Sequence, residues 1–226
     1  MITNALLSPS WAGPELAVCG FTPRSVEGPD AVANTTQVHG NTVHVVALTR
    51  DGAAPPPPAE GDGLWTASPG LPIAIRVADC VPILLWDPAV PAVAAVHAGW
   101  RGTVADIVGE ALRIGATELG VSPARVRAAI GPCISGRRFE VGPEVVAGLR
   151  ALGLPDATFG LHTSPRGRPH VDLRGANRAL LVRAGVPDAF IEDVGGCTFD
   201  DAERFHSWRR DGLAAGRMRG IIGIRA

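Results

Sequence analysis

Three short apolar runs, Pro72–Val77, Val81–Trp86 and Ala92–His97, follow one another in the first half of the chain. Breaks carrying Asp79, Cys80, Asp87, Pro88 and Pro91 separate them. Each run lacks the alternation of a strand with one wet face, and continuous runs of this length fit strands buried on both faces. Leu16–Phe21, Thr42–Leu48, Val126–Ile130 and Ile221–Ile224 have similar β character. Helical spacing appears in Thr103–Leu119, where Val104, Ile107, Val108, Ala111, Leu112 and Ile114 recur close to a 3.6-residue period. Pro143–Leu152 begins with a first-turn Pro, and Asp172–Ala184 with an Asp suited to capping. A fourth helix is expected over Asp200–Arg210, anchored by Phe205 and Trp208. Strands followed by helices and more strands imply an α+β or α/β architecture. No internal composition shift divides residues 1–226, so one domain is expected. Ala53–Ala59, with four consecutive prolines, reads as an exposed polyproline II loop.

Composition then narrows the chemistry. The chain has 226 residues, 46% hydrophobic, and a formal charge of -1. It can bury a sizeable core and lacks a basic footprint for nucleic acid. Every basic residue is Arg, and Tyr is absent. A Schiff-base Lys, a P-loop Lys and a catalytic Tyr are therefore excluded. Cys19, Cys80, Cys133 and Cys197 are widely spaced and read as free thiols. The segment Met1–Leu7 lacks a basic signal region, and no run reaches 18 apolar residues. A cytoplasmic protein with no membrane association is expected.

What remains is four Cys, six His, carboxylates, Arg and Ser/Thr. His39 stands in Thr36-Gln37-Val38-His39-Gly40, just before a strand-like run. Asp79 and Cys80 interrupt two apolar runs, and an acid there is costly without a partner. In Val96-His97-Ala98-Gly99-Trp100-Arg101-Gly102-Thr103 a strand ends in His97 and a helix is expected to start near Thr103. A helix N-terminus beside the Arg101 guanidinium suits an anion. His39, Cys80 and His97 supply two imidazoles and a thiolate, the three-ligand pattern of a catalytic zinc site with an open fourth position. Their spacings of 41 and 17 residues leave bland readings open: a turn His, a small hydrophobic Cys and a plain strand-to-helix turn.

Several motifs in fixed order resemble the YfiH family, also called laccase-domain or multicopper polyphenol oxidase proteins. They are Gln37-Val38-His39-Gly40, Ala78-Asp79-Cys80, His97-Ala98-Gly99-Trp100-Arg101-Gly102 and Ile130-Gly131-Pro132-Cys133-Ile134. The closing segment from Cys197-Thr198 through Arg204-Phe205-His206-Ser207-Trp208-Arg209-Arg210-Asp211-Gly212 to Gly216-Arg217-Met218 is also similar. The resemblance implies a layered α/β sandwich with a mixed sheet and flanking helices, related to Cys/His deamidase toxins. It implies zinc, with copper as the alternative metal, on His39, Cys80 and His97. It further implies phosphorolysis of purine nucleosides (adenosine, inosine, guanosine, methylthioadenosine) and deamination of adenosine by attack of activated water on C6.

The expected catalytic set is His39, Cys80, His97 and Asp79, with Asp79 either an acid/base or an orienting group. The expected contacts to nucleoside and inorganic phosphate are Arg101, Gly99, Trp100, Thr103 and Arg24. Arg24 lies in a departure from the family pattern, since Ser25-Val26-Glu27-Gly28 replaces the usual Gly-Gly-Val-Ser and the connection to Gln37 is shortened. A monomer or homodimer is expected. The rivals are a copper-binding polyphenol oxidase, a metal-free Cys80/His97 hydrolase and an interaction module using Pro55–Pro58. Six His are too few for a blue-copper site plus a three-copper cluster, which weakens the full oxidase reading.

Overall fold

The computed structural model describes residues 5–26, 32–57 and 60–226. Its strands are β1 (Leu16–Phe21), β2 (Val43–Val45), β3 (Gly63–Thr66), β4 (Ile73–Val77), β5 (Val81–Asp87), β6 (Ala92–Ala98), β7 (Arg127–Ile130), β8 (His162–Thr163), β9 (Pro169–His170), β10 (Ile191–Asp193) and β11 (Met218–Ile224). The helices are α1 (Trp100–Val104), α2 (Ile107–Leu119), α3 (Pro143–Ala151), α4 (Leu173–Arg183) and α5 (Trp208–Asp211). A six-stranded mixed sheet has the order β10-β7-β5-β6-β3-β2, and a three-stranded antiparallel sheet has the order β1-β11-β4. Strands β8 and β9 form a separate small hairpin. The fold is α+β with a mixed sheet, and among the described residues no helix is long and apolar enough to cross a membrane.

The unbroken apolar runs are explained by what covers β5 and β6, where every residue is buried. Val81, Ile83 and Leu85 join Ala94, Val96 and residues of α2, α3 and α4 in one core. Leu84, Trp86, Val93 and Ala95 face the opposite way, into a core shared with Ile73, Ile75 and Ile222 of the small sheet. The large sheet is thus a middle layer, with helices on one face and the small sheet on the other. Burying each Leu, Ile or Val contributes about 1.5–3 kcal/mol, so both faces must be apolar.

Several expectations need correction. Thr42–Leu48 contracts to Val43–Val45, the three residues that pair in parallel with β3. Strand β3, in Gly63-Leu64-Trp65-Thr66, was not expected, because four residues carry no usable period. The helix over Thr103–Leu119 is two helices. Asp106 breaks it with φ 53°, and its carboxylate caps α2 by accepting from Gly109 N. The helix over Asp200–Arg210 is reduced to Trp208–Asp211. Asp201 there accepts from the Arg204 amide and guanidinium in a turn, and Ser207 caps the short helix. The Pro tract is described through Pro57 without helix or strand. Pro58 and Ala59, with Glu27 and Gly28, lie outside the described residues.

Candidate active site

Two antiparallel strands and one loop carry the three metal-type side chains. Cys80 immediately precedes β5, and His97 is the penultimate residue of the neighbouring β6, paired with Pro82. His39 arrives on the loop before β2. Ligand atoms of His39, Cys80 and His97 all lie within 4.8 Å of one another. Among the described residues, no other group of three or more His, Cys, Asp or Glu converges in this way. The His39 and His97 rings meet edge to face, with centroids 4.9 Å apart.

Asp62, absent from the sequence reading, organises the cluster. It is fully buried at the entrance to β3. Its Oδ1 accepts from His97 Nδ1 (2.8 Å) and His39 N (2.9 Å), and its Oδ2 from Gly40 N (2.7 Å) and Val38 N (3.2 Å). One carboxylate thus fixes the His97 ring and the loop holding His39. With Nδ1 donating to Asp62, Nε2 is the His97 nitrogen left for a metal. The only local signal was an acid between Gly61 and Gly63 ahead of an apolar Leu-Trp pair.

Gln37 braces the same loop from the other side. Its amide donates to Arg76 O (2.8 Å) and accepts from Arg76 N (2.7 Å), capping the edge of β4 like one more strand residue. His39 has φ 62° and Asp79 φ 87°, left-handed conformations that cost about 1–3 kcal/mol and gather at functional sites.

The electrostatics couple the cluster. Burial would push the Cys80 thiol up, but hydrogen bonds and charge from His39 and His97 outweigh it and bring it down to about 6. Burial would likewise lower His97, yet Asp62 and Cys80 raise it to about 9. Without a metal, both shifts favour a thiolate beside an imidazolium. Cys19 and Cys133 behave oppositely, since burial pushes both thiols up, Cys133 to about 11.

The cluster lines a cleft of about 780 Å³. Arg76, Arg101, Arg209 and Arg217 also line it, and among the described residues none of the four is ion-paired with a carboxylate. The Arg101 guanidinium lies over the Trp100 ring, 4.5 Å from its centroid. Gly99 allows His39 and Cys80 a close approach. A Cβ there would come within 3.0 Å of His39 Cδ2 and 3.2 Å of Cys80 Sγ.

Two expected substrate contacts take other places, and Asp79 lines the cleft with its carboxylate already engaged. Thr103 is fully buried inside α1, where its hydroxyl accepts from Asn177 Nδ2 (3.0 Å), so it faces α4 and cannot cap a helix toward the cleft. The helix entrance there is Trp100, with Gly99 as N-cap. Arg24 does not line the cleft; its guanidinium donates to Ala202 O on the C-terminal segment. Asp79 has both carboxylate oxygens occupied. Oδ1 accepts from Thr198 Oγ1 (2.5 Å), and Oδ2 from Ser207 Oγ (3.1 Å) and Arg209 N (2.6 Å). That geometry makes it an anchor of the C-terminal segment. Arg76, Arg209 and Arg217 were given no role in the site from sequence, and Trp208 was expected only as a helix anchor, whereas it is 46% exposed in the cleft; only folding brings β4 and the C-terminal segment beside β5 and β6.

Residues 23–225 match the family model described as multi-copper polyphenol oxidoreductase laccase. A Deinococcus radiodurans protein named purine nucleoside phosphorylase is 44% identical over 195 residues, covering 86% of this chain and 71% of the relative. A protein from an unknown prokaryotic organism, named adenosine deaminase RL5, is 42% identical over 160 residues, covering 69% of this chain but only 59% of the relative. The crystal structure of YlmD from Geobacillus stearothermophilus superposes with a TM-score of 0.82 at 29% identity, covering 95% of this chain and 94% of that one.

Proposed function

This chain belongs to the multi-copper polyphenol oxidoreductase laccase family, and on that premise we propose that it is a purine nucleoside phosphorylase that also deaminates adenosine. Zinc is the proposed metal, on His39, Cys80 and His97. The observation that carries the reading is the convergence of those three side chains in a cleft lined by four arginines that, among the described residues, have no carboxylate partner.

The donor set fits the metal. Two imidazoles and a soft thiolate suit zinc and leave a fourth position open. Zinc so held supplies Lewis acidity toward a bound molecule. The chain's own residues do the rest. Asp62 orients His97 and the His39 loop, and buried β5 and β6 hold Cys80 and His97 at a fixed separation. Phosphorolysis needs inorganic phosphate beside C1′ of the ribose, and guanidinium forks match phosphate geometry bidentately. Arg101, Arg76, Arg209 and Arg217 are the candidates, and with no Lys in the chain the task falls to Arg and backbone N–H groups.

The remaining imidazoles speak against full laccase chemistry. His44 sits on Glu60 O, His162 and His170 stack on the small hairpin, and His206 packs on Gly216. None joins the cluster, so a second, imidazole-rich copper centre has no ligands there.

The test is incubation of zinc-loaded protein with adenosine or inosine, with and without phosphate. Phosphate-dependent release of free base, and inosine from adenosine, are expected. Absence of both overturns the reading. His39→Ala, Cys80→Ala and His97→Ala should each lose one stoichiometric metal.

One observation favours a second reading. Cys80, His97 and Asp62 stand in the order of nucleophile, base and orienting carboxylate, as in a metal-free Cys hydrolase. Activity that survives a strong chelator and dies on alkylation of Cys80 would select it. Zinc that protects Cys80 from alkylation would select the metal.

A further inference from the structure

Three aromatic side chains line the cleft: Trp100, Phe139 and Trp208. Trp100 and Phe139 pack against the core beneath the helices. Trp208 belongs to neither core and is 46% exposed. Its backbone is nonetheless clamped. Ser207 Oγ and Arg209 N, on either side of it, both donate to Oδ2 of Asp79. The Arg210 guanidinium ties the same segment to the carbonyls of Thr198, Phe199 and Phe205. Asp79 is also the neighbour of Cys80, so the anchor of this exposed ring is one residue from a metal-type ligand. The Arg217 guanidinium lies over the ring, 5.5 Å from its centroid, and its Nη1 is fixed on Ala215 O and Gly216 O.

A large aromatic left nearly half exposed on a clamped backbone contributes little to the fold beyond its contact with Arg217. It is preorganised to receive a flat apolar ligand at little entropic cost. We infer that Trp208 is the platform on which the purine base stacks, with Asp79 as the positioning residue that holds it in register with Cys80. This rests on the purine nucleoside reading above and assigns its base-recognition element. Stacking on an indole discriminates by the area of the π-face, so it favours purine over pyrimidine nucleosides.

The test is a titration of zinc-loaded protein with inosine and with uridine, without phosphate. It is followed by tryptophan emission, which is free of Tyr background because the chain has five Trp and no Tyr. Calorimetry runs in parallel for variants that lack the indole. Trp208→Ala should weaken inosine binding by about 5- to 150-fold, the range for losing one base–aromatic stack. Trp208→Phe should recover most of it, with zinc content unchanged in both. Ser207→Ala, which removes one of the three Asp79 bonds, should raise KM for inosine a few-fold more than it lowers kcat. Inosine binding by Trp208→Ala within twofold of the parent overturns the platform and leaves the proposed reaction standing. Parent protein that neither binds nor cleaves inosine overturns the reaction and the platform with it.

Discussion

Asp62 and Asp79 are both buried carboxylates that accept several hydrogen bonds, and both adjoin the cluster, Asp62 through the His97 imidazole and Asp79 as the chain neighbour of Cys80. Asp62 gathers groups that hold metal-type ligands: the His97 imidazole and three N–H groups of the His39 loop. Asp79 gathers the distant C-terminal segment through Thr198, Ser207 and Arg209. The first sets the geometry of the cluster, and the second sets the wall of the cleft beside it. The acid next to the Cys in sequence is the one farther from the chemistry in role. Buried acids are costly alone, so each marks where the chain must meet partners from elsewhere.

The sharpest way to break this contrast is to neutralise each acid. Asp62→Asn puts an amide where one imidazole and three N–H groups all donate. Metal affinity should fall about 10- to 100-fold, as for other losses of a His-orienting carboxylate. Unfolding free energy should drop by about 3 kcal/mol. Metal analysis and urea unfolding measure both. If zinc content and stability match the parent, Asp62 does not organise the cluster.

Asp79→Asn should act on the other axis. Zinc content should stay at one per chain while stability falls by about 1–3 kcal/mol, since three donors that now meet a carboxylate would share a side chain with one acceptor oxygen. Loss of zinc equal to that of Asp62→Asn would erase the distinction.

Proton linkage sharpens the picture of the cluster without metal. His97 is raised to about 9, so its contribution is present below 6.5 and is lost as pH rises through 9. Cys80 is lowered to about 6, so its contribution is present above its ordinary value of 9.0 and is lost as pH falls through 6. Between about 6.5 and 9, folding adds a proton at one residue and removes one at the other. Zinc-free protein should therefore show nearly flat stability across that window. Cys80→Ala leaves His97 on Asp62 alone, and its stability should decline as pH rises. Chemical denaturation at several pH values reads the slope, and identical slopes would count against the coupled pair.

The smallest effect is expected at Gly99, which touches ligands but neither acid. Gly99→Ala should weaken zinc binding only a few-fold, because His39 and Cys80 must yield by tenths of an ångström. Competition with a chromogenic chelator resolves a change of that size.

Much of the scaffold was legible because its determinants are local. Continuous apolar runs marked β5 and β6, and the 3.6-residue period marked α2, although Asp106 hid a break inside one apparent helix. Motif resemblance brought His39, Cys80 and His97 together by residue type and order, while spacing alone left each with a bland alternative. Arg24 and Thr103 were misplaced. One was carried over from a loop that departs from the family pattern, and the other was read as a cap where Gly99 serves.

By itself, the sequence determined which segments must be buried on two faces, that any phosphate must be held without Lys, and which three side chains could share a metal. The tertiary structure alone decided that Asp62 orients His97, that Asp79 serves the C-terminal segment, and that Trp208 stands open in the cleft. The physical reason is range. Strand and helix signals lie within a few residues, whereas the Asp79 bonds to Ser207 and Arg209 span 128 and 130 residues. Such partners meet only when β4, β5 and the C-terminal segment pack together, and no local pattern encodes that meeting.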